Sequence, residues 1–209
     1  MVNTPSLEDN SSSWLDKTVF PFFPKLKVEH LLITILLILA IISRLYNIGA
    51  RDMSHDEVNH VVPSYELYQG QGYQHNPITH GPLQFHLIAA SYFLFGDSDT
   101  ASRIPSAVFS IMTIAFVALA FKRYLGRTGS LLAGFFYLIS PYMLFYGRYT
   151  RNESFVAFFG VVMLFTVLNY LETGKKSDLI ILSAAISFQY CVKETSYIYT
   201  AILLLFLGV

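Results

Sequence analysis

The sequence predicts an all-α protein, a polytopic membrane bundle of about six spanning helices with a large outer first loop, and three observations carry that reading. Of 209 residues, 54% are hydrophobic and only 13% charged, with a mean hydropathy of +0.48, too apolar for the solvated surface of a soluble domain. Charges crowd into short windows and leave uncharged runs at 31–43, 81–96, 104–121, 128–147, 154–171, 179–192 and 195–209. Lysine and arginine are also spread unevenly among the intervening loops. Fourteen Lys and Arg against fourteen Asp and Glu leave no net charge, which excludes the basic footprint of a nucleic-acid partner. The lone Cys191 excludes a disulfide framework and a multi-cysteine metal site.

Residues 1–27 open with Glu8-Asp9 and Asn10-Ser-Ser-Ser and are expected to form a disordered cytoplasmic tail. The first apolar run starts late and no small-residue cleavage site follows it, so it reads as an anchor that is retained. Extended through Arg44, whose head is expected to reach the interface, the first span covers 28–48. The runs at 104–121, 128–147 and 154–171 are long enough as they stand. Those at 179–192 and 195–209 are shorter. The last is still apolar at Val209, so residues 28–209 are expected to be the N-terminal membrane module of a longer chain.

The run at 81–96 decides the topology. If it does not span, Lys17, Lys25, Lys27, Lys122, Arg123, Arg127, Lys175 and Lys176 lie on the cytoplasmic side, eight basic residues against five outside, with Arg44 left out as intramembrane. If it spans, the division is seven against six. The positive-inside rule favours the first arrangement. The run is short and carries Gln84 and His86, which suits a helix lying in the outer interface.

The outer loop, 49–103, then holds five of the six histidines. Val58, Val61, Val62 and Tyr65 follow amphipathic helical spacing behind Asp56, with Pro63 expected to kink or shorten that helix. Asp56 and Glu57 either cap it or serve chemistry, as an acceptor base or as hard-oxygen ligands of a divalent cation. Glu57 and His60 have the spacing of half a di-iron site, but no second copy occurs. His75, His80 and His86 are candidate phosphate donors or metal ligands. Among them His80 stands out, directly before Gly81-Pro82. Arg148 and Arg151, near Glu153, form either a salt-bridged helix end or a bidentate phosphate clamp. Lys193-Glu194 interrupts an apolar stretch as a tight loop or as an ion pair facing a cavity. Asn152-Glu-Ser matches a glycan acceptor pattern too close to the membrane to carry weight.

The order of Arg44-Leu-Tyr-Asn, Ser54-His-Asp-Glu57, His80-Gly-Pro-Leu, Leu94-Phe-Gly, Arg103-Ile-Pro-Ser, Tyr146-Gly-Arg-Tyr-Thr-Arg-Asn-Glu153 and Lys193-Glu194 resembles the C-type integral-membrane glycosyltransferases. That superfamily includes protein mannosyltransferases and the aminoarabinose transferases acting on lipid A. The closest likeness is to a prokaryotic group of flippase-activity-associated proteins, and it runs from about residue 30 to the end.

The resemblance implies transfer of a sugar from a polyprenyl-phosphate carrier to an acceptor lipid, glycan or protein on the outer face of the bilayer. Asp56 matches the first-loop acid that serves as base or lies at the metal or acceptor site, and Glu57 matches its partner. Glu153 stands where many relatives have an aspartate, and His80 where relatives carry a lysine. On this reading Asp56, Glu57 and Glu153 are catalytic and His60, His80, Arg148, Arg151 and Lys193 bind substrate. A divalent cation, if used, would sit on Asp56 and Glu153. The rival from another class is a flippase, or an accessory to one, that binds the carrier phosphate without breaking a bond.

Overall fold

The computed structural model describes residues 13–19, 26–74 and 79–208. Among them every regular element is helical, apart from a single antiparallel bridge between Thr18 and Lys27. In chain order the helices are α1 (Val28–Leu45), α2 (His55–Tyr68), α3 (Leu83–Phe95), α4 (Asp99–Ala120), α5 (Lys122–Ile139), α6 (Pro141–Tyr146), α7 (Glu153–Thr173), α8 (Lys176–Tyr190) and α9 (Ser196–Gly208), preceded by a short 3₁₀ turn at Trp14–Asp16. Of these, α1, α4 and α7 are long and apolar enough to cross a membrane, while α3 and α9 are shorter apolar helices.

Helix α4 is the hub, packing against α1, α3, α5 and α7. Its buried face carries Ser102, Ser106 and Ser110 at four-residue intervals, followed by Thr113 and Ile114. Small side chains there let neighbouring backbones approach closely. A β-carbon on Gly147 would come within 2.6 Å of Ser110 Oγ, so the turn after α6 is seated directly on that face. One apolar core joins Leu36, Ala40, Ile114, Ala118 and Leu138 from α1, α4 and α5, and another joins Phe155, Phe159, Val162 and Met163 of α7 with Ala185 and Val192.

Local signals explain several boundaries. Ser54 accepts from Glu57 N while the Glu57 carboxylate accepts from Ser54 N, a reciprocal cap that starts α2. Ser98 caps α4 by accepting from Ala101 N, and Gly174, in the left-handed region at φ 63, ends α7. Pro63 lies inside α2, which continues to Tyr68, so the expected shortening does not occur. The run read as one span over 128–147 is divided, with α5 ending at Ile139 and α6 beginning at Pro141. Proline has no N–H to offer Tyr137 O four residues back.

Arg44 answers that loss, and here the structure corrects the expectation that its head would reach the interface. Its side chain is 0% exposed. It donates to Leu138 O at 2.9 Å, to Tyr137 O at 3.3 Å and to Ser110 Oγ at 3.3 Å. Carbonyls orphaned at a helix end supply the guanidinium with acceptors, which offset part of its desolvation.

Ion pairs sort the helix ends into two groups. At one end Lys27 and Arg127 hold Asp16, Lys122 and Arg127 hold Glu29, and Arg123 holds Glu172. Hydrogen bonds from Arg127, then Lys27, keep the Asp16 carboxyl down at about 2. Residues 13–19, within the segment expected to be a disordered tail, are thus pinned to the bundle, with Leu15 buried. Residues 1–12, 20–25, 75–78 and 209 lie outside the described residues, and with them most of the expected tail and His75. The opposite end gathers the loop after α1, α2, the starts of α4 and α7, and the α8–α9 turn. Both ends of α3 lie there too. Leu83 N donates to Cys191 O at the end of α8, and Gly96 leads straight into the capped start of α4.

Candidate functional site

That second end holds the sequence-predicted site residues. Asp56 lies in the first turn of α2 with its side chain 53% exposed, and Arg151 Nη1 donates to its Oδ2 at 2.6 Å. Arg151 also faces Glu153, Nε to Oε2 at 3.6 Å, and Lys193 Nζ donates to Glu153 Oε1 at 3.0 Å. A continuous row Asp56–Arg151–Glu153–Lys193 therefore links α2, the start of α7 and the α8–α9 turn. Of the two readings of Lys193-Glu194, the tight loop is the one formed, and its residues pair outward. Lys193 meets Glu153, while His80 Nδ1 lies 2.7 Å from Glu194 Oε2. Burial opposes ionisation of Glu194, yet hydrogen bonds from its own backbone and from His80 hold its carboxyl below the ordinary value.

His80 is placed by strained backbone. Its φ is 70, a region costly for a non-glycine residue. The two bonds that follow fix it, Gly81 N to Val192 O at 3.1 Å and Leu83 N to Cys191 O at 2.9 Å. A β-carbon on Gly81 would lie 2.2 Å from Cys191 O, so only glycine admits the approach. His60, one α2 face behind, is buried with its ring 6.4 Å from that of His80 and 5.6 Å from Phe85. Burial pushes its imidazole down to about 4, helped by His80 and Arg151 and opposed by Glu153 and Asp56.

Several polar atoms here have no hydrogen-bond partner among the described residues: His60 Nδ1 and both amide atoms of Asn152, while Arg151 Nε and Glu153 Oε2 meet only each other as an ion pair. Asn152 is 1% exposed, which also disposes of it as a glycan acceptor. Buried polar groups are rarely left unpaired, so their concentration around the row suits a polar ligand rich in hydroxyls.

Glu57 behaves differently from its neighbour. It is 0% exposed, and Arg103 grips it twice, Nε to Oε1 at 2.8 Å and Nη2 to Oε2 at 3.0 Å. Arg51 Nη2, Thr150 N and Ser54 N donate to the same two oxygens at 2.8, 3.1 and 3.2 Å. Burial alone would raise this carboxyl, but the bonds from Arg103, Thr150 and Ser54 outweigh it and hold the value below ordinary. Both oxygens are saturated, and the group locks α2, α4 and the Tyr149–Thr150 segment together.

The structure also separates Arg148 from Arg151. Arg151 turns toward Asp56, whereas Arg148 turns the other way and donates to Ser43 O at 2.8 Å, Asn47 O at 3.3 Å and Arg44 O at 3.5 Å, closing the C-terminal end of α1. Between them Tyr149 OH meets Ser54 Oγ at 2.5 Å. The two arginines therefore form no joint phosphate clamp. Sequence reasoning missed the anchoring roles of Arg51 and Arg103 and the pairing of Glu194. One signal was present: Arg103 opens a long uncharged run, and an arginine at such a place needs a carboxylate.

Among the described residues no group of three or more His, Cys, Asp and Glu is placed to hold a metal ion. Asp56 and Glu153, the pair expected to hold a divalent cation if one is used, are bridged by the Arg151 guanidinium. Two carboxylates arranged around a cationic side chain do not fit the oxygen cage such an ion needs.

A family model described as dolichyl-phosphate-mannose-protein mannosyltransferase matches residues 79–209. The match spans His80, Arg103, Arg148, Arg151, Glu153 and Lys193 and starts after Asp56, Glu57 and His60. No curated protein and no solved structure matches the chain.

Proposed function

For a chain that belongs to the dolichyl-phosphate-mannose-protein mannosyltransferase family, and so to the integral-membrane glycosyltransferases, we propose inverting transfer of a sugar from a polyprenyl-phosphate carrier to an acceptor on the outer face. The observation that carries this reading is the row Asp56–Arg151–Glu153–Lys193, in which Asp56 alone is a half-exposed carboxylate, bound by Arg151 through Oδ2. Asp56 takes the proton from the acceptor hydroxyl as that oxygen attacks the anomeric carbon. The bond from that carbon to the carrier phosphate breaks, and the phosphate leaves with the electron pair. Arg151 orients Asp56, and Lys193 with His80 faces the charge that localises on the departing phosphate. Glu153 holds Arg151 and Lys193 in place, and Glu57 is a positioning residue. His60 and Asn152 supply hydrogen bonds to sugar hydroxyls.

The topology that serves this chemistry has a cytoplasmic N-terminus and about six spans, formed by α1, α4, α5 with α6, α7, α8 and α9. Helix α3 lies in the outer interface. One fact supports it: both ends of α3 sit at the site end of the bundle. Lys122, Arg123 and Arg127 gather at the opposite end, as positive-inside loops do.

The test is an assay with a radiolabelled polyprenyl-phosphate sugar in proteoliposomes with candidate acceptors. Label moving onto an acceptor supports transfer. Label that only crosses the bilayer replaces transfer with flipping.

A further inference from the structure

The arginines that do not serve Asp56 converge elsewhere. A cavity of about 740 Å³ opens between the end of α1, the Asn47–Arg51 turn and α6, bounded by Ile42, Tyr46, Leu144 and Phe145 together with Arg51, Arg103 and Arg148. Arg44 lies behind it and repels Arg148. Three guanidinium groups thus line the cavity, and Glu57 pairs with two of them, Arg51 and Arg103. Arg44 donates to carbonyls and serine hydroxyls, and Arg148 to carbonyls, which accept hydrogen bonds but cancel no charge. In the Asp56 row, by contrast, Arg151 and Lys193 are matched by Asp56 and Glu153.

A concentration of positive charge beside low-dielectric walls draws an anion, and guanidinium groups favour phosphate oxygens. Arg51 lies over two rings, its Cζ 4.9 Å from the Tyr149 centroid and 5.4 Å from that of Phe145, and these contacts hold the guanidinium in place. The cavity's other wall is apolar and continues into the exposed faces of Ile42, Leu45, Tyr46 and Phe145. An occupant must therefore join a phosphate to a hydrocarbon chain.

We propose that this cavity is a lipid-phosphate site, separate from the Asp56 row, in which Arg51 and Arg148 hold the phosphate of a membrane lipid whose chain runs along α1 and α6. The phosphate belongs to an anionic phospholipid of the outer leaflet, because the apolar wall is continuous with side chains exposed on the outside of the bundle. Binding is read without turnover, so this proposal stands or falls apart from the transfer reading.

Native mass spectrometry of the chain in detergent tests it, with phosphatidylglycerol, phosphatidylcholine of the same acyl chains, and undecaprenyl phosphate as probes. The expected result is at least about tenfold tighter binding of an anionic probe than of phosphatidylcholine, a margin typical of one charge-assisted contact. Tighter binding of undecaprenyl phosphate than of phosphatidylglycerol overturns the phospholipid site. Arg51→Gln and Arg148→Gln should abolish the preference, as should Leu144→Trp, which fills the cavity while leaving every charge in place. Arg123→Gln, at the opposite end, should retain it. Equal binding of phosphatidylcholine, or an anionic preference that survives both Leu144→Trp and Arg148→Gln, overturns the site.

Discussion

Arg103 and Glu57 form a buried, two-pronged ion pair, with Nε to Oε1 at 2.8 Å and Nη2 to Oε2 at 3.0 Å. It ties the second turn of α4 to the first turn of α2, and through Thr150 N to the segment that aims Arg151 at Asp56. Removing one partner of such a pair leaves a buried charge unmatched, at a cost of about 3–5 kcal/mol. Arg103→Ala is expected to lower the melting temperature in detergent sharply and to abolish activity with it. Arg103→Lys, which keeps the charge but not the fork, should recover only part of the stability.

Acidification should act in two windows. His60 has its folded value lowered to about 4 from an ordinary 6.5, so the unfolded chain takes up a proton first. Its contribution is complete above about pH 6.5 and is lost as pH falls toward 4. The Glu57 carboxyl is also lowered, so its contribution is present above the unfolded value of about 4.3 and disappears only as pH falls through its folded value. A melting-temperature profile should show the first decline vanish in His60→Phe, while the second, to which the lowered carboxyls of Asp16 and Glu194 also contribute, is reduced when Glu57 is changed.

Much of this was legible in the sequence, and the failures share one cause. The helical class and the apolar runs followed from patterns of charge and hydropathy, which local composition records, and the family resemblance singled out Asp56, His80, Arg151, Glu153 and Lys193. What escaped were pairings set by tertiary geometry. Glu57 and Asp56 are neighbours in sequence, yet one helical step sends the first into Arg103 and the second toward Arg151. Arg148 and Arg151 are three residues apart, but the turn between them points them to opposite sides. Arg44 looked free to reach the interface because nothing local reveals that Pro141 deprives Tyr137 of its helical donor.

Arg44→Met tests that last point. It leaves Tyr137 O and Leu138 O without Arg44's bonds, at about 1–3 kcal/mol for each group left unpaired. The expected outcome is a lower melting temperature with little change in the Asp56 row. Transfer measured well below the melting point should then stay close to that of the parent.

Gly81→Ala should do the reverse. Its β-carbon would lie 2.2 Å from Cys191 O, forcing the His80 turn away from the α8–α9 loop. Overpacking of this kind costs about 1–3 kcal/mol, and it pulls His80 from Glu194. Activity is expected to fall more than stability, which paired transfer and melting measurements on one preparation would reveal.

The central claim is that Asp56 is the base. Asp56→Asn in the full-length protein, assayed for movement of radiolabelled sugar from its polyprenyl phosphate to acceptor, isolates that role, since the amide is nearly isosteric and the side chain is half exposed. The account predicts a loss of at least about a hundredfold in transfer, with membrane insertion and melting temperature essentially unchanged. Transfer at the parent rate by a correctly inserted Asp56→Asn protein would contradict it.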